Sequence, residues 1–200
     1  GAHAADAVAL QAQTDTTATY NNRAGQTCTS DLTGQDLGGK TLVPGVYCFS
    51  SSAQLTGALT LDAGGLSNAV WVFQTVSTLT TASNSSVVLI NGADPCNVFW
   101  KVGSSANLGT TTLFVGNIFA LTSIDLATGA SVSGRTLARN GAVTMDSNTV
   151  TVPLCNIPVT SIPPTLTKTF SPGTINAGGV PTLTITLTNS NNTVPNVNGP

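Results

Sequence analysis

The stretch "TSIDLATGASVSGRTLARNGAVTMDSN" at residues 122–148 nearly repeats itself: "TSIDLATGAS" is answered by "GAVTMDSNTV". It holds two Asp and two Arg, no Lys, Glu or His, and is otherwise rich in Thr, Ser, Ala and Gly. Each copy carries an apolar–polar–apolar core, Ile124-Asp125-Leu126 and Val143-Thr144-Met145. Working outward, similar cores appear at Ala106-Asn107-Leu108, Leu79-Thr80-Thr81 and Leu59-Thr60-Leu61, spaced about 18 to 27 residues apart. A short unit recurring in this way predicts a β-solenoid, in which equivalent strands of successive coils pair in parallel about 4.8 Å apart. Side chains alternate along a strand, so the flanking apolar residues point inward and the middle ones outward. The expected outward rank is Thr60, Thr80, Asn107, Asp125 and Thr144. One step before it lie Ala58, Thr78, Ser105, Ser123 and Ala142. One step after lie Asp62, Ala82, Gly109, Ala127 and Asp146. This is a grid of short side chains with few charges.

A second strand set lies between these cores: "VWVFQ", "NVFWKV", "GNIFA" and "GRTLA". Its outer side is expected to carry Phe99, Trp100, Phe119 and Leu137, which need a cover. Residues 2–24 supply one. Ala-rich sequence favours a helix there, and Gly25 suits its end. A narrow face of Ala5, Val8, Ala12 and Asp15 to Ala18 is expected to meet the sheet. The Thr/Ser face is then left free. After Cys155, "NIPVTSIPPTLTKTF" reads as a Pro-rich linker. The alternating "PTLTITLTNSN" opens a separate module, a partial β-sandwich. The expected divisions are a solenoid domain over 1–157, with coils over 42–155, a linker at 158–163, and the truncated module at 164–200. Gly1 without a preceding Met, and "NVNGP" in mid-pattern, read as the ends of an excerpt.

Composition narrows the function classes. Only 7% of residues are charged, against about 25% in a typical soluble domain. The net charge is −2, so no basic face is available for nucleic acid. No apolar run reaches the roughly 20 residues of a membrane span. With one His, three-part nucleophilic machinery lacks a base, and no metal or cofactor site is expected. Asp62, Asp125 and Asp146 read as solvated strand-end residues rather than a paired acid and base or a calcium site. Arg135 and Arg139 read as partners of Asp or backbone carbonyls rather than anion ligands. The four cysteines, Cys28, Cys48, Cys96 and Cys155, read as two disulfides of an exported protein rather than as free buried thiols, with Cys28–Cys48 and Cys96–Cys155 the preferred pairs. Pairing Cys28 with Cys48 would close the loop after the helix. Pairing Cys96 with Cys155 would tie the last repeat to the middle of the domain.

The separated motifs "DLGGKTLVPGVYCF", "LTGALTLDAGG", "VWVFQ", "STLTTASNSSVVLINGADPCNVFWKVGSSANLGT" and "GRTLARNGAVTMDSNTVTVPLC" resemble the bacterial and fungal ice-binding proteins of the discontinuous β-solenoid type. The likeness covers roughly residues 1–157. It implies a right-handed solenoid of triangular cross-section, a long helix along one side, ice as the partner of one flat face, and export. Relatives usually carry a segment before the helix that forms coils at one solenoid end, so an uncapped end is expected here. "TASN" at Thr81–Asn84 and "TGAS" at Thr128–Ser131 look like the Thr-Ala/Gly-x-Thr/Asn pattern of some members. Residues 163–200 resemble the start of an Ig-like repeat of large bacterial surface proteins. The function expected is non-enzymatic ice binding by a monomeric unit of a larger secreted or cell-surface chain. The expected contact residues are Thr60, Thr78, Thr80, Ser105, Asn107, Ser123, Asp125, Thr128 and Thr144, with the mid-strand positions favoured over the corners. A structural or adhesin domain and a carbohydrate-active solenoid enzyme are the alternatives.

Overall fold

The computed structural model describes residues 3–155 and 165–188. The linker expected at 158–163 and the last residues lie outside that set. The chain divides into two units, one covering Ala2–Asn156.

The larger unit opens with helix α1, Ala7–Ala24. Asp6 caps it by accepting a 2.9 Å hydrogen bond from the Ala9 amide. Strands β1 (Ser30–Asp31), β2 (Thr41–Leu42), β3 (Gly45–Phe49), β4 (Ala53–Leu55) and β5 (Ala58–Asp62) begin the solenoid. The next coil holds β6 (Trp71–Thr75), β7 (Leu79–Thr81) and β8 (Ser86–Ile90). Then follow β9 (Val98–Val102), β10 (Ala106–Leu108) and β11 (Leu113–Ala120). The unit ends with β12 (Ile124–Leu126), β13 (Ser131–Ala138), β14 (Val143–Met145) and β15 (Thr149–Thr151).

Parallel pairing sorts these strands into three faces. A narrow face stacks β4, β7, β10, β12 and β14. A broad face stacks β2, β5, β8, the first half of β11, the first half of β13, and β15. A third stacks β1, β3, β6, β9 and the second halves of β11 and β13. In β11 and β13 the chain turns from one face to the next within a single strand. Glycine is required there: a Cβ on Gly134 would lie 2.0 Å from the Gly116 carbonyl oxygen, and Gly116 has φ +112. In the earlier coils the same corner carries loops at 63–70 and 91–97.

These loops explain a register slip in the sequence reading. Along the narrow face the outward residues are Gln54, Thr80, Asn107, Asp125 and Thr144. The coils between them are 26, 27, 18 and 19 residues long. A spacing judged from the short coils places Thr60 in this rank. Thr60 instead pairs with Thr41 and Val88 on the broad face, and Gln54 fills its place. Ala58 and Asp62 move with it.

The interior is a column of apolar residues. Tyr47, Phe73, Trp100 and Phe114 stack through it with ring centroids 5.5, 3.9 and 4.9 Å apart. Trp100, expected outside, points in, because Phe73 and Trp100 share a register and Phe99 takes the outer side. Each fully buried Leu, Ile or Phe contributes about 1.5–3 kcal/mol. The column ends differently at its two ends. Leu32 and Leu37 close it at one end, both buried. At the other, Val143 and Met145 stay 37% and 52% exposed, although they continue a rank in which Ile124 and Leu126 are buried.

The helix covers the third face, but not through its small residues. Val8 is exposed, and Ala5 precedes the helix with φ 55. The stripe that meets the sheet runs through Thr16, Tyr20 and Arg23. The Tyr20 hydroxyl donates to the Val102 carbonyl at 3.3 Å, and Gln74 donates to the carbonyls of Arg23 and Gln26. Disulfides Cys28–Cys48 and Cys96–Cys155 form with Cα separations of 5.9 and 5.5 Å.

The smaller described piece is an antiparallel ribbon of β16 (Thr165–Ser171) and β17 (Thr182–Thr188).

Candidate functional site

Charge is distributed unevenly over the solenoid. Arg23 lies over the Phe99 ring at 3.8 Å, while Lys101 and Arg139 flank Tyr20 at 5.0 and 4.6 Å. Three of the six cations are thereby held under the helix. Burial there lowers the basicity of Lys101 and Arg23 and pushes the Tyr20 hydroxyl up. Arg135 donates to the Asn117 side-chain oxygen at 3.1 Å, and Lys40 to Gln35 at 2.9 Å. Neither Arg135 nor Arg139 stands free as an anion ligand. The two faces without a helix are therefore poor in positive charge.

The narrow face carries eight of the nine residues expected at the site, counting Thr128 at its edge. Many of its polar groups are already engaged. Thr144 donates to the Asp125 carboxylate and Thr128 to Asp146. Thr78 donates to Ser52 at 2.9 Å, and the Ser105 hydroxyl accepts from the Ser123 amide at 3.4 Å. Thr80 and Asn107 complete the outward rank.

The "TASN" and "TGAS" stretches are not equivalent. Thr81 stands in register with Leu55, at the corner that Leu108 takes in the next coil; its side chain is buried, accepting from the Gly109 amide at 2.9 Å and lying 2.9 Å from the Thr112 hydroxyl. The residue matching Leu108 in the next coil is Leu126, two positions before Thr128.

The broad face is the region that the sequence reading missed. Its outward residues form the row Ala58, Ser86, Leu113, Ser131 and Thr149. A second row holds Thr41, Thr60 and Val88, and continues with Val115, Ser133 and Thr151. Among the described residues, none of the hydroxyls of Thr41, Thr60, Ser86, Ser131, Ser133, Thr149 or Thr151 has a side-chain partner within the protein. Leu113 is 60% exposed and Val88 41%, so uncovered apolar surface lies among free hydroxyls. The only carboxyl in either row's strands is Asp62 at the margin, held below its ordinary value by hydrogen bonds from Asn91 and Gly64. The signal for this face was the alternation in "SVVLI", "LFV", "SVS" and "TVT".

Elsewhere, His3 contacts Asp6 at 2.7 Å near the helix start. Among the described residues no cluster of His, Cys, Asp or Glu is arranged to hold a metal, and no helix is long and apolar enough to cross a membrane.

Known proteins share this fold. The profile of the family described as "Ice-binding-like" matches residues 1–151. An ice-binding protein of Nostoc sp. (strain HG1) is 64% identical over 146 residues, 72% of this chain and 54% of that protein. An ice-binding protein of Flavobacterium frigoris (strain PS1) is 38% identical over 136 residues, 67% of this chain and 48% of that protein. The chain thus spans about half the length of these curated relatives. The crystal structure of an ice-binding protein from the Antarctic ascomycete Antarctomyces psychrotrophicus matches with a TM-score of 0.73 at 45% identity, covering 75% of this chain and 74% of that one.

Proposed function

The chain belongs to the ice-binding-like family, and from that premise we propose that it binds ice crystals through the broad face, without enzymatic activity. The activity takes the form of thermal hysteresis, recrystallisation inhibition or ice adhesion. The observation that carries the choice of face is the set of unpartnered hydroxyls interleaved with exposed Val and Leu on straight, regularly stacked strands. Ice offers a repeating lattice of donors and acceptors, so many weak contacts add only if the protein groups are regular, rigid and free. Parallel strands fix the repeat at about 4.8 Å, and Thr and Val have stiff χ1 angles. A charged side chain in the middle of the face would hold its own hydration shell against the lattice, and none stands there.

The narrow face is the second reading. Its rank of Thr80, Asn107, Asp125 and Thr144, flanked by Thr78, Ser105, Ser123 and Thr128, is equally regular. Thermal hysteresis of Val88→Tyr against Thr80→Tyr, both checked for native circular dichroism, separates the two. Loss in the first alone supports the broad face. Loss in the second alone assigns the contact to the narrow face.

The same reading takes the solenoid as right-handed and triangular. It takes the protein as a secreted or cell-surface chain in which the solenoid is a monomeric domain over 1–157. The ribbon of β16 and β17 fits the opening of an Ig-like sandwich repeat, since Leu166, Phe170, Leu183, Ile185 and Leu187 share one side and Thr residues the other. A structural or adhesin role within such a surface protein is compatible with ice adhesion. It replaces ice binding if the folded chain neither shapes ice crystals nor slows their recrystallisation.

A further inference from the structure

Among the described residues Asn is followed by Gly at 91–92 and at 140–141. In this pair the main chain can attack its own side chain, because glycine puts no Cβ in the way of the closing ring. Both pairs sit in exposed bends between strands, so exposure does not separate them. Hydrogen bonds do. The Asn91 side-chain amide donates to the Asp62 carboxylate at 2.8 Å, and the Asn91 carbonyl accepts from the Gly65 amide at 3.0 Å. Among the described residues the Asn140 side chain has no hydrogen-bond partner and the Gly141 amide donates to nothing; only the Asn140 amide is tied, to the Leu121 carbonyl at 3.2 Å. A groove of about 410 Å³ between α1 and the end of β13 opens on Gly141 and admits water to it. Packing also fixes the glycine in place. A Cβ at 141 would lie 2.5 Å from the Ser123 Oγ and 2.8 Å from the Thr122 carbonyl.

We propose that Asn140-Gly141 is a site of spontaneous covalent modification, deamidation through a succinimide, while Asn91-Gly92 is protected by Asp62. The Gly141 main-chain nitrogen gives up its proton and attacks Cγ of Asn140. The bond from Cγ to the side-chain nitrogen breaks, and that nitrogen leaves as ammonia with the proton. Water then opens the ring. Cleavage at Cγ gives aspartate at 140; cleavage at the main-chain carbonyl gives isoaspartate, with one extra methylene in the backbone. Water is the only co-reactant, and nothing is oxidised or reduced. At Asn91 the same step must first give up a hydrogen bond to a carboxylate, and its product would set a second carboxylate against Asp62. At Asn140 nothing has to be given up. The isoaspartyl product cannot keep the local packing, since the chain at 141 already lies against Thr122 and Ser123. The added methylene pushes β14 away from β12 and disturbs the Gln13 bond to the Arg139 carbonyl, which joins α1 to the last coil. The chemistry is independent of which face meets ice.

The test ages the whole folded chain in mildly alkaline buffer and follows each asparagine by peptide mass analysis, with enzymatic methylation to count isoaspartate. A synthetic peptide of residues 136–145 serves as the reference for Asn140 without the fold. Asn140 is expected to convert in the folded chain on the time scale of the peptide, and about tenfold or more ahead of Asn91, since a hydrogen bond to a charged group is worth a factor of that order. Asp62→Ala should bring Asn91 up toward the rate of Asn140 and leave Asn140 unchanged. The aged parent should melt at a lower temperature than the fresh one, whereas Asn140→Gln should age without that loss. The proposal is overturned if Asn140 stays intact in the folded chain while the peptide converts, or if Asn91 in the parent keeps pace with it. It is overturned equally if Asp62→Ala leaves Asn91 as slow as before, or if Asn140→Gln loses as much stability on ageing as the parent.

Discussion

The two uncovered faces are made from the same coils, yet they differ in what their polar groups are doing. At its last coils the narrow face bonds along the stack, Thr144 to Asp125 and Thr128 to Asp146, while Thr80 and Asn107 in its middle have no side-chain partner among the described residues. On the broad face the hydroxyls face outward with nothing to bond, and exposed Val and Leu stand between them. A ladder whose partners lie within the ladder stabilises the coil. One whose partners are missing is available to a lattice outside the protein. Regularity alone does not tell these apart, since both faces have it.

The largest expected effect is on the broad face. Val88→Tyr sets a bulky ring in the middle of its second row and should remove most of the thermal hysteresis while circular dichroism stays native. Full activity in that variant would reverse the comparison. Next, Leu61→Ala, beneath the same face and fully buried, should cost about 2–5 kcal/mol in a denaturant titration. Its hysteresis should fall even where the protein remains folded, because the strands above lose their support.

The narrow face should respond through stability instead. Thr144→Val removes the donor to Asp125 and should cost about 0.5–1.5 kcal/mol, with hysteresis close to the parent. Thr80→Tyr should change hysteresis least of these substitutions. A strong loss there would move the site to the narrow face.

The smallest effect concerns pH. The carboxyls of Asp31 and Asp62 are held low, by hydrogen bonds with Thr33 in one case and with Asn91 and Gly64 in the other. At Asp36 burial acts upward, and hydrogen bonds from Thr56 and Gly38 outweigh it. A carboxyl depressed in the folded state stabilises above its unfolded value and loses that contribution as pH falls through its folded value. The melting temperature should therefore drop only below about pH 4, with hysteresis flat from about pH 6 to 9.

Much of the fold was legible because it rests on local repetition. The cores at Ile124-Asp125-Leu126 and Val143-Thr144-Met145 sit where the alternation puts them, and the cysteines join in the two preferred pairs. The helix was legible from its alanines, but its contact stripe was not. The strength of the seam comes from Tyr20 and Arg23 meeting partners more than 70 residues away in sequence, such as Val102 and Phe99. The broad face was hidden by coil length. Loops at 63–70 and 91–97 stretch two coils, so Thr60 appeared to belong to the narrow rank. In β11 and β13 two faces share one strand, and only the glycines at 116 and 134 mark the division.

The Cys96–Cys155 disulfide has a mechanical consequence. Strand β15 lies at the open end of the broad face, paired only to β13. A pull applied beyond residue 155 would, in a chain without that bond, peel β15 away one hydrogen bond at a time and roughen the face beside it. With the bond, tension arriving at Cys155 crosses directly to Cys96, three coils back, and the 58 residues between them carry none of it. The surface proposed to meet ice is thereby isolated from tugging on the rest of the chain.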